Sequence, residues 1–431
     1  MKANRVGKAQ DGLRTIFRSL SHRNYRLFFG GQSLSLIGTW MQQIAISWLV
    51  YRLTHSAFML GVVGFASRIP TFLLASAAGV LVDRWNRHRT LVVTQTLSMI
   101  QALILATLVM TEVVTIWEII VLTVILGTIN AFDVPARQSF VVDMIGKKED
   151  LGNAIALNSS MVNGARLVGP SLAGILIAVV GEGLCFLINA ISFLAVIVSL
   201  LAMKDIPKRP KALHAHFLRG LKEGFSYAFG FAPIRSLLLL LALVSLMGMG
   251  YMVLMPVFAK DILHGGPNTY GFLMGATGVG ALAGALFLAS RKSVIGLGRL
   301  IVVASGLFGA GLVALSFSRV FIPTMVLMAV VGFGMMVQMA STNTVIQTIV
   351  DEDKRGRVMS FYAMAFMGMT PFGSLLAGSL AHSIGVPLTV AIGGGTCLIG
   401  SVMFARRLPG LRKLVRPIYL KKGIIAGDLS Q

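Results

Sequence analysis

The sequence predicts an all-α membrane protein in which twelve transmembrane helices form two pseudo-symmetric six-helix bundles. Three observations carry that prediction. Apolar runs of about 20 residues recur along the chain, which is 55% hydrophobic and 13% charged, against about 25% charged in soluble domains. Lys and Arg fall almost wholly in alternate loops between those runs. A pattern of small residues in the fifth run, Gly164, Gly169, Ala173 and Gly174, returns at the same offsets in the eleventh as Gly368, Gly373, Ala377 and Gly378. The formal charge of +22 therefore reads as loops on one side of a membrane and not as a nucleic-acid surface.

Taken in order, residues 1–24 form a basic cytoplasmic segment in which Leu13, Ile16, Phe17 and Leu20 fall at helical spacing among arginines, suited to an anionic membrane surface. The N-terminal bundle follows at 25–203, with runs near 26–50, 57–82, 90–111, 115–141, 153–180 and 184–203. A basic cytoplasmic loop at 204–233 separates it from the C-terminal bundle at 234–406. In that loop Pro207 and Pro210 stop the sixth helix, and Leu218, Leu221, Phe225 and Phe229 suggest an amphipathic helix. The second set of runs lies near 234–259, 269–290, 299–318, 321–349, 357–382 and 386–405, and a basic tail closes the chain at 407–431. The bias of Lys and Arg places both termini in the cytoplasm of a multi-pass inner-membrane protein.

Ionisable groups at membrane depth are costly, so each is a candidate for function. Arg68 lies about 11 residues into the second run and Arg166 about 13 into the fifth, near mid-depth at 1.5 Å per residue. Asp133, in the fourth run, is the one carboxylate well inside any run, and Arg137 lies one helical turn later on the same face. A structural ion pair explains that spacing as well as a proton-coupling role does. Cys185 and Cys397 sit far apart in apolar runs and give neither metal spacing nor a disulfide framework. No phosphate-binding glycine loop, His-Glu-x-x-His or Gly-x-Ser-x-Gly occurs, so no enzyme, metal or cofactor is expected.

The stretch Gly79-Val-Leu-Val-Asp83-Arg84-Trp-Asn86-Arg87-His-Arg89 joins the second and third runs. It resembles the loop motif of the major facilitator superfamily, with Asn86 at the motif's second glycine, where left-handed turn geometry is expected of it. Gly164-Ala-Arg166-Leu-Val-Gly169-Pro170-Ser-Leu-Ala173-Gly174 resembles the superfamily's antiporter motif, with Ala173 in place of one glycine. Helix packing alone explains such small residues equally well. Asn24 to Gln32, Gly38 to Arg52, Asn130 to Asp143 and Arg355 to Ser360 resemble the drug:proton antiporter branch that includes the enterobactin exporter.

That resemblance implies the major facilitator fold and a monomer in the lipid bilayer that exports a small amphipathic molecule by alternating access, with protons as coupling ion. It implies an inner gate in which Asp83 and Arg87 contact Asp143 and the start of the eleventh span, where Arg355 and Arg357 lie. It also places Gln32, Gln42, Gln43 and Ser47, Met252 among four methionines of the seventh span, and Gln338, Thr342 and Asn343 toward a central cavity. Arg68 and Arg166 suit a lysophospholipid flippase of the same fold as an alternative, and a non-transporting receptor or scaffold is a second.

Overall fold

The computed structural model describes residues 17–145, 148–204, 225–291 and 293–425, with the side chains there except those of Ser76, Asp83 and Lys148. Twelve long helices and no strand occur among the described residues. They are α1 (Arg23–Thr54), α2 (Ala57–Arg84), α3 (Arg87–Met110), α4 (Ile116–Met144), α5 (Lys148–Val180) and α6 (Glu182–Leu201). After the central connection come α7 (Ala232–Ile262), α8 (Pro267–Ala289), α9 (Leu297–Phe317), α10 (Phe321–Ile349), α11 (Arg355–Ile384) and α12 (Val386–Lys421). Eleven are long and apolar enough to cross a membrane; α1, which carries Asn24, Arg26, Gln32, Gln42 and Gln43, falls short on composition.

Local chemistry sets the breaks. Gly181, Gly296 and Gly385 adopt φ of 81°, 85° and 84°, a region that costs an L side chain energy, and each separates two helices. Thr115 and Glu118 form a reciprocal capping box at the start of α4. Asn86 departs from the left-handed geometry expected of it. Its φ is −73°, and its side chain accepts the Arg89 N–H at 3.0 Å, so it caps α3 instead of imitating a glycine.

The chain divides into two compact units, one of residues 1–46 and 73–212, the other of residues 47–72 and 213–431. In unit 1 an apolar cluster built on Tyr25, Phe28, Val82, Leu91, Phe140 and Leu200 fills the end that carries the α2–α3 turn. A 3-10 turn, Arg18–Ser21, stands where the sequence suggested an amphipathic helix; Leu13 and Ile16 of that suggestion lie outside the described residues. The turn is tied to the first turn of α5: Arg18 Nε lies 2.5 Å and His22 Nε2 2.9 Å from the Asp150 carboxylate, and Ser19 Oγ donates to the Asp150 carbonyl at 2.8 Å.

In unit 2 close backbone approach takes over from side-chain bulk. A Cβ on Gly280 would lie 1.8 Å from the Ala329 carbonyl oxygen, and one on Gly332 would lie 2.1 Å from that of Thr277, so α8 and α10 meet backbone to backbone. Three elements differ from the sequence reading. α7 contains π-helical turns at Val244–Gly248 and Phe258–Ile262, and α11 has one at Met364–Gly368. α12 runs to Lys421, well past the expected end near 405. Leu408, Leu411, Val415 and Tyr419 recur there at helical spacing on one face, and the Lys422 ammonium donates to the Thr348 carbonyl at the end of α10 at 2.7 Å. Residues 225–230 form one helical turn and a half whose Phe225 and Phe229 pack with Phe361 of α11; Leu218 and Leu221 lie outside the described residues.

Candidate functional site

At the α2–α3 end of unit 1, Arg87 Nη1 donates to Asp143 Oδ2 at 3.0 Å. Asp143 is buried and Arg87 half-buried, so this charge-assisted bond between the start of α3 and the end of α4 is shielded from solvent. Gly79 lies one turn before the end of α2, Arg84 and Arg89 are exposed beside the turn, and Trp85 stacks on Phe132 with centroids 5.9 Å apart. The Asp83 side chain lies outside the described residues. Arg355 and Arg357 begin α11 in unit 2, where Arg355 Nη2 lies 3.8 Å from Glu352 Oε1.

Asp133 is 4% exposed. The sequence pointed to Arg137 as its partner, and Arg137 Nε does lie 3.8 Å from Oδ2. The tighter partners come from α3: Thr94 Oγ1 and Gln95 Nε2 both donate to Oδ1 at 2.8 Å. Two hydrogen-bond donors and one nearby guanidinium thus surround an acceptor-only carboxylate and offset the loss of water around it. Nothing in a single-sequence periodicity showed that Thr94 and Gln95 would face α4. A second polar ladder crosses unit 1 nearby. Gln42 Nε2 donates to Gln101 Oε1 at 3.0 Å, and Asn189 Nδ2 donates to Gln42 Oε1 at 2.7 Å.

The antiporter-type segment seats α5 against α1. A Cβ on Gly169 would lie 2.6 Å from the Trp40 Cβ and 3.0 Å from the Ile37 carbonyl, and Arg166, half-buried, places its guanidinium 5.3 Å from the Trp40 ring centroid. Pro170 sits inside α5 without ending it, and Gly174 follows one turn on. The matching residue in unit 2 behaves alike: a Cβ on Gly373 of α11 would lie 2.4 Å from the Leu246 carbonyl of α7. Helices 5 and 11 therefore dock on helices 1 and 7 through the same repeat position.

The remaining predicted residues separate by burial. Gln32 of α1 is buried, Gln43 is exposed, and Arg68 and Met252 are half-buried in unit 2. On α10 Gln338 is buried, and its Nε2, Ser341 Oγ and Thr342 Oγ1 find no hydrogen-bond partner among the described residues. Asn343 accepts from Gln347 at 2.6 Å.

Unit 2 also holds a constellation that the sequence reading missed. The Tyr51 hydroxyl at the end of α1 donates to Asp261 of α7. Trp48 stacks on Tyr270 of α8 at 6.3 Å, and Phe65 and Phe72 of α2 meet Phe372 of α11 edge-on at 5.9 and 5.8 Å. Gly61 and Gly378 allow α2 and α11 to touch: a Cβ on Gly61 would lie 2.9 Å from the Gly378 Cα. The available signal was Asp261 itself, an acid beside Lys260 at a helix end. A count of loop cations passes over it. No group of three or more His, Cys, Asp or Glu placed to hold a metal occurs among the described residues.

This architecture has close counterparts. The chain is similar to the staphyloferrin A transporter of Staphylococcus aureus, at 28% identity over 88% of this chain and 95% of that one. It is similar to the multidrug efflux pump Tap of Mycolicibacterium fortuitum, at 28% over 86% and 92%, and to macrolide efflux protein A of Streptococcus pyogenes, at 24% over 91% and 98%. Among solved structures, an inward-facing bacterial homologue of the iron transporter ferroportin superposes with a TM-score of 0.68 at 17% identity, covering 89% of this chain and 98% of that one. An inward-facing, occupied bacterial homologue of the lysosomal transporter Spinster gives 0.67 at 14%, over 94% and 98%. The transmembrane secretion effector family profile matches residues 14–415. The chain therefore belongs to the transmembrane secretion effector family of the major facilitator superfamily, and it is a multi-pass membrane transporter, not an enzyme.

Proposed function

We propose that the protein exports a small amphipathic molecule, a drug or a siderophore-like metabolite, from the inner membrane by alternating access, driven by proton entry, with both termini cytoplasmic. The observation that carries the reading is the α5 segment: Gly169 closes α5 onto α1, and Arg166 lies over the Trp40 ring. A half-buried cation on an aromatic face offers one platform to both the charged and the apolar part of an amphipathic substrate. Relatives described as a multidrug efflux pump and a macrolide efflux protein support the direction of transport. In this reading Arg87 and Asp143 hold the inner gate, and Asp133 carries the proton. A proton on Asp133 would add a donor to a group that now accepts from Thr94 and Gln95 and faces the Arg137 guanidinium, so protonation would loosen α3 from α4.

The test is accumulation in an efflux-deficient host. At equal membrane levels, cells with the wild-type protein should retain several-fold less of at least one amphipathic dye, drug or siderophore than cells with Arg166→Ala. Equal or greater retention of every compound in wild-type cells would overturn export.

A further inference from the structure

Unit 2 contains an open groove, with about 70 Å3 of space inside it, that the transport reading does not use. It lies at the end of the unit where the α8–α9 loop and the extension of α12 meet. Leu237 of α7, Ile301 of α9, Val345 of α10, and Phe404 and Leu411 of α12 make its wall apolar, and Arg412 is its one charged lining residue among the described residues. Each wall residue lies within about two turns of its helix's end or, on α12, where the apolar span gives way to basic sequence. A wall of this kind at this depth matches the boundary between hydrocarbon and headgroups.

Four arginines flank the cleft. Arg412 and Arg416 are exposed on the α12 extension, and Arg291 and Arg299 are exposed on the α8–α9 side, where Arg291 Nη2 donates only to the Ile295 carbonyl, at 3.2 Å. None of the four forms an ion pair among the described residues, and no Asp or Glu occurs between Arg406 and Lys422. Guanidinium groups match phosphate oxygens bidentately, and basic pockets between membrane helices favour anionic headgroups.

We infer that this cleft binds one anionic phospholipid, with an acyl chain against the Leu237–Ile301–Phe404 wall and its phosphate at Arg412. The lipid would fix the α12 extension to α7, α9 and α10. The assignment is independent of which molecule the protein transports.

Native mass spectrometry of the full-length protein in detergent, titrated with phosphatidylglycerol or with phosphatidylcholine of the same acyl chains, tests it. Wild-type protein should retain phosphatidylglycerol at least fivefold better than phosphatidylcholine. Arg412→Gln, at an exposed position, and Leu408→Trp, which fills the cleft, should each abolish that preference. Lys413→Gln, the same loss of charge on a residue that does not line the cleft, should keep it. Equal retention of both lipids would overturn the headgroup assignment, and equal losses in Arg412→Gln and Lys413→Gln would reduce it to diffuse surface attraction. Retention of neither lipid would also overturn it.

Discussion

At Asp133 the chemistry of one side chain decides how protonation could reach the helices. Its Oδ1 takes two hydrogen bonds from α3, and its Oδ2 faces Arg137 on its own helix. Bonds to a charged acceptor contribute about 1.5–3 kcal/mol each. Asp133→Asn keeps the shape, loses the charge and sets an amide N–H2 against existing donors. It should lower thermal stability by about 2 kcal/mol and cut proton-coupled transport at least tenfold while sparing substrate binding, as read by a thermal melt, a flux assay and a binding titration on the same preparation. Unchanged coupling with normal flux would remove Asp133 from the mechanism. Arg87→Ala takes a charge-assisted partner from the Asp143 carboxylate, so it should reduce transport, and the double variant Arg87→Ala/Asp143→Ala should recover part of the stability that the single variant loses. Asp133 was legible in the sequence because an acid deep in an apolar run stands out. Its partners Thr94 and Gln95 were not, because neutral polar residues are common in such runs and only the facing of α3 selects them.

Among the helices, repeat positions do the positioning. Gly169 and Gly373 each bring the fifth helix of a half against the first helix of that half, in contact with backbone or Cβ atoms that cannot swing away. Gly169→Leu and Gly373→Leu should therefore both lower the melting temperature and abolish transport, whereas Gly30→Leu, with nothing within 4 Å of its Cβ position, should leave both near wild type. A melt that fell for one repeat position and not the other would contradict their equivalence. The repeat could be read because glycine, alanine and proline mark close helix contacts at fixed offsets. The π-helical turns of α7 and α11 could not: a π-turn inserts one residue into the i→i+4 ladder without changing composition, and Leu, Ser, Met and Gly there are ordinary helix residues. The end of α12 was misjudged for a related reason. Seven cations between Arg406 and Lys422 read as a solvated tail, while the apolar stripe Leu408, Leu411, Val415 and Tyr419 that holds the helix in place was thin.

For the molecule as a whole, alternating access as proposed requires helices α1 and α2 to exchange contacts during a cycle. Unit 2 includes residues 47–72 of those helices, held by the Tyr51–Asp261 bond, the Trp48–Tyr270 stack and the Gly61–Gly378 approach. Tyr51→Phe removes one hydrogen bond from this set, about 1 kcal/mol, and should change the transport rate by no more than severalfold. Gly61→Leu should abolish transport at normal expression, because its Cβ meets Gly378 backbone. The twelve-helix, two-bundle plan was legible because hydrocarbon thickness fixes the length of an apolar run and cations mark alternate loops. The contacts of α1 and α2 with α7, α8 and α11 were not, since they join residues some 200 to 300 positions apart without a charge pattern of their own. The most direct test of proton-driven export is pH recorded inside proteoliposomes that contain the purified protein and a pH-sensitive dye, as a transported compound is added. The account predicts substrate-dependent proton movement opposite in direction to the compound, lost in Asp133→Asn. Transport that proceeds at full rate with no proton movement would contradict it.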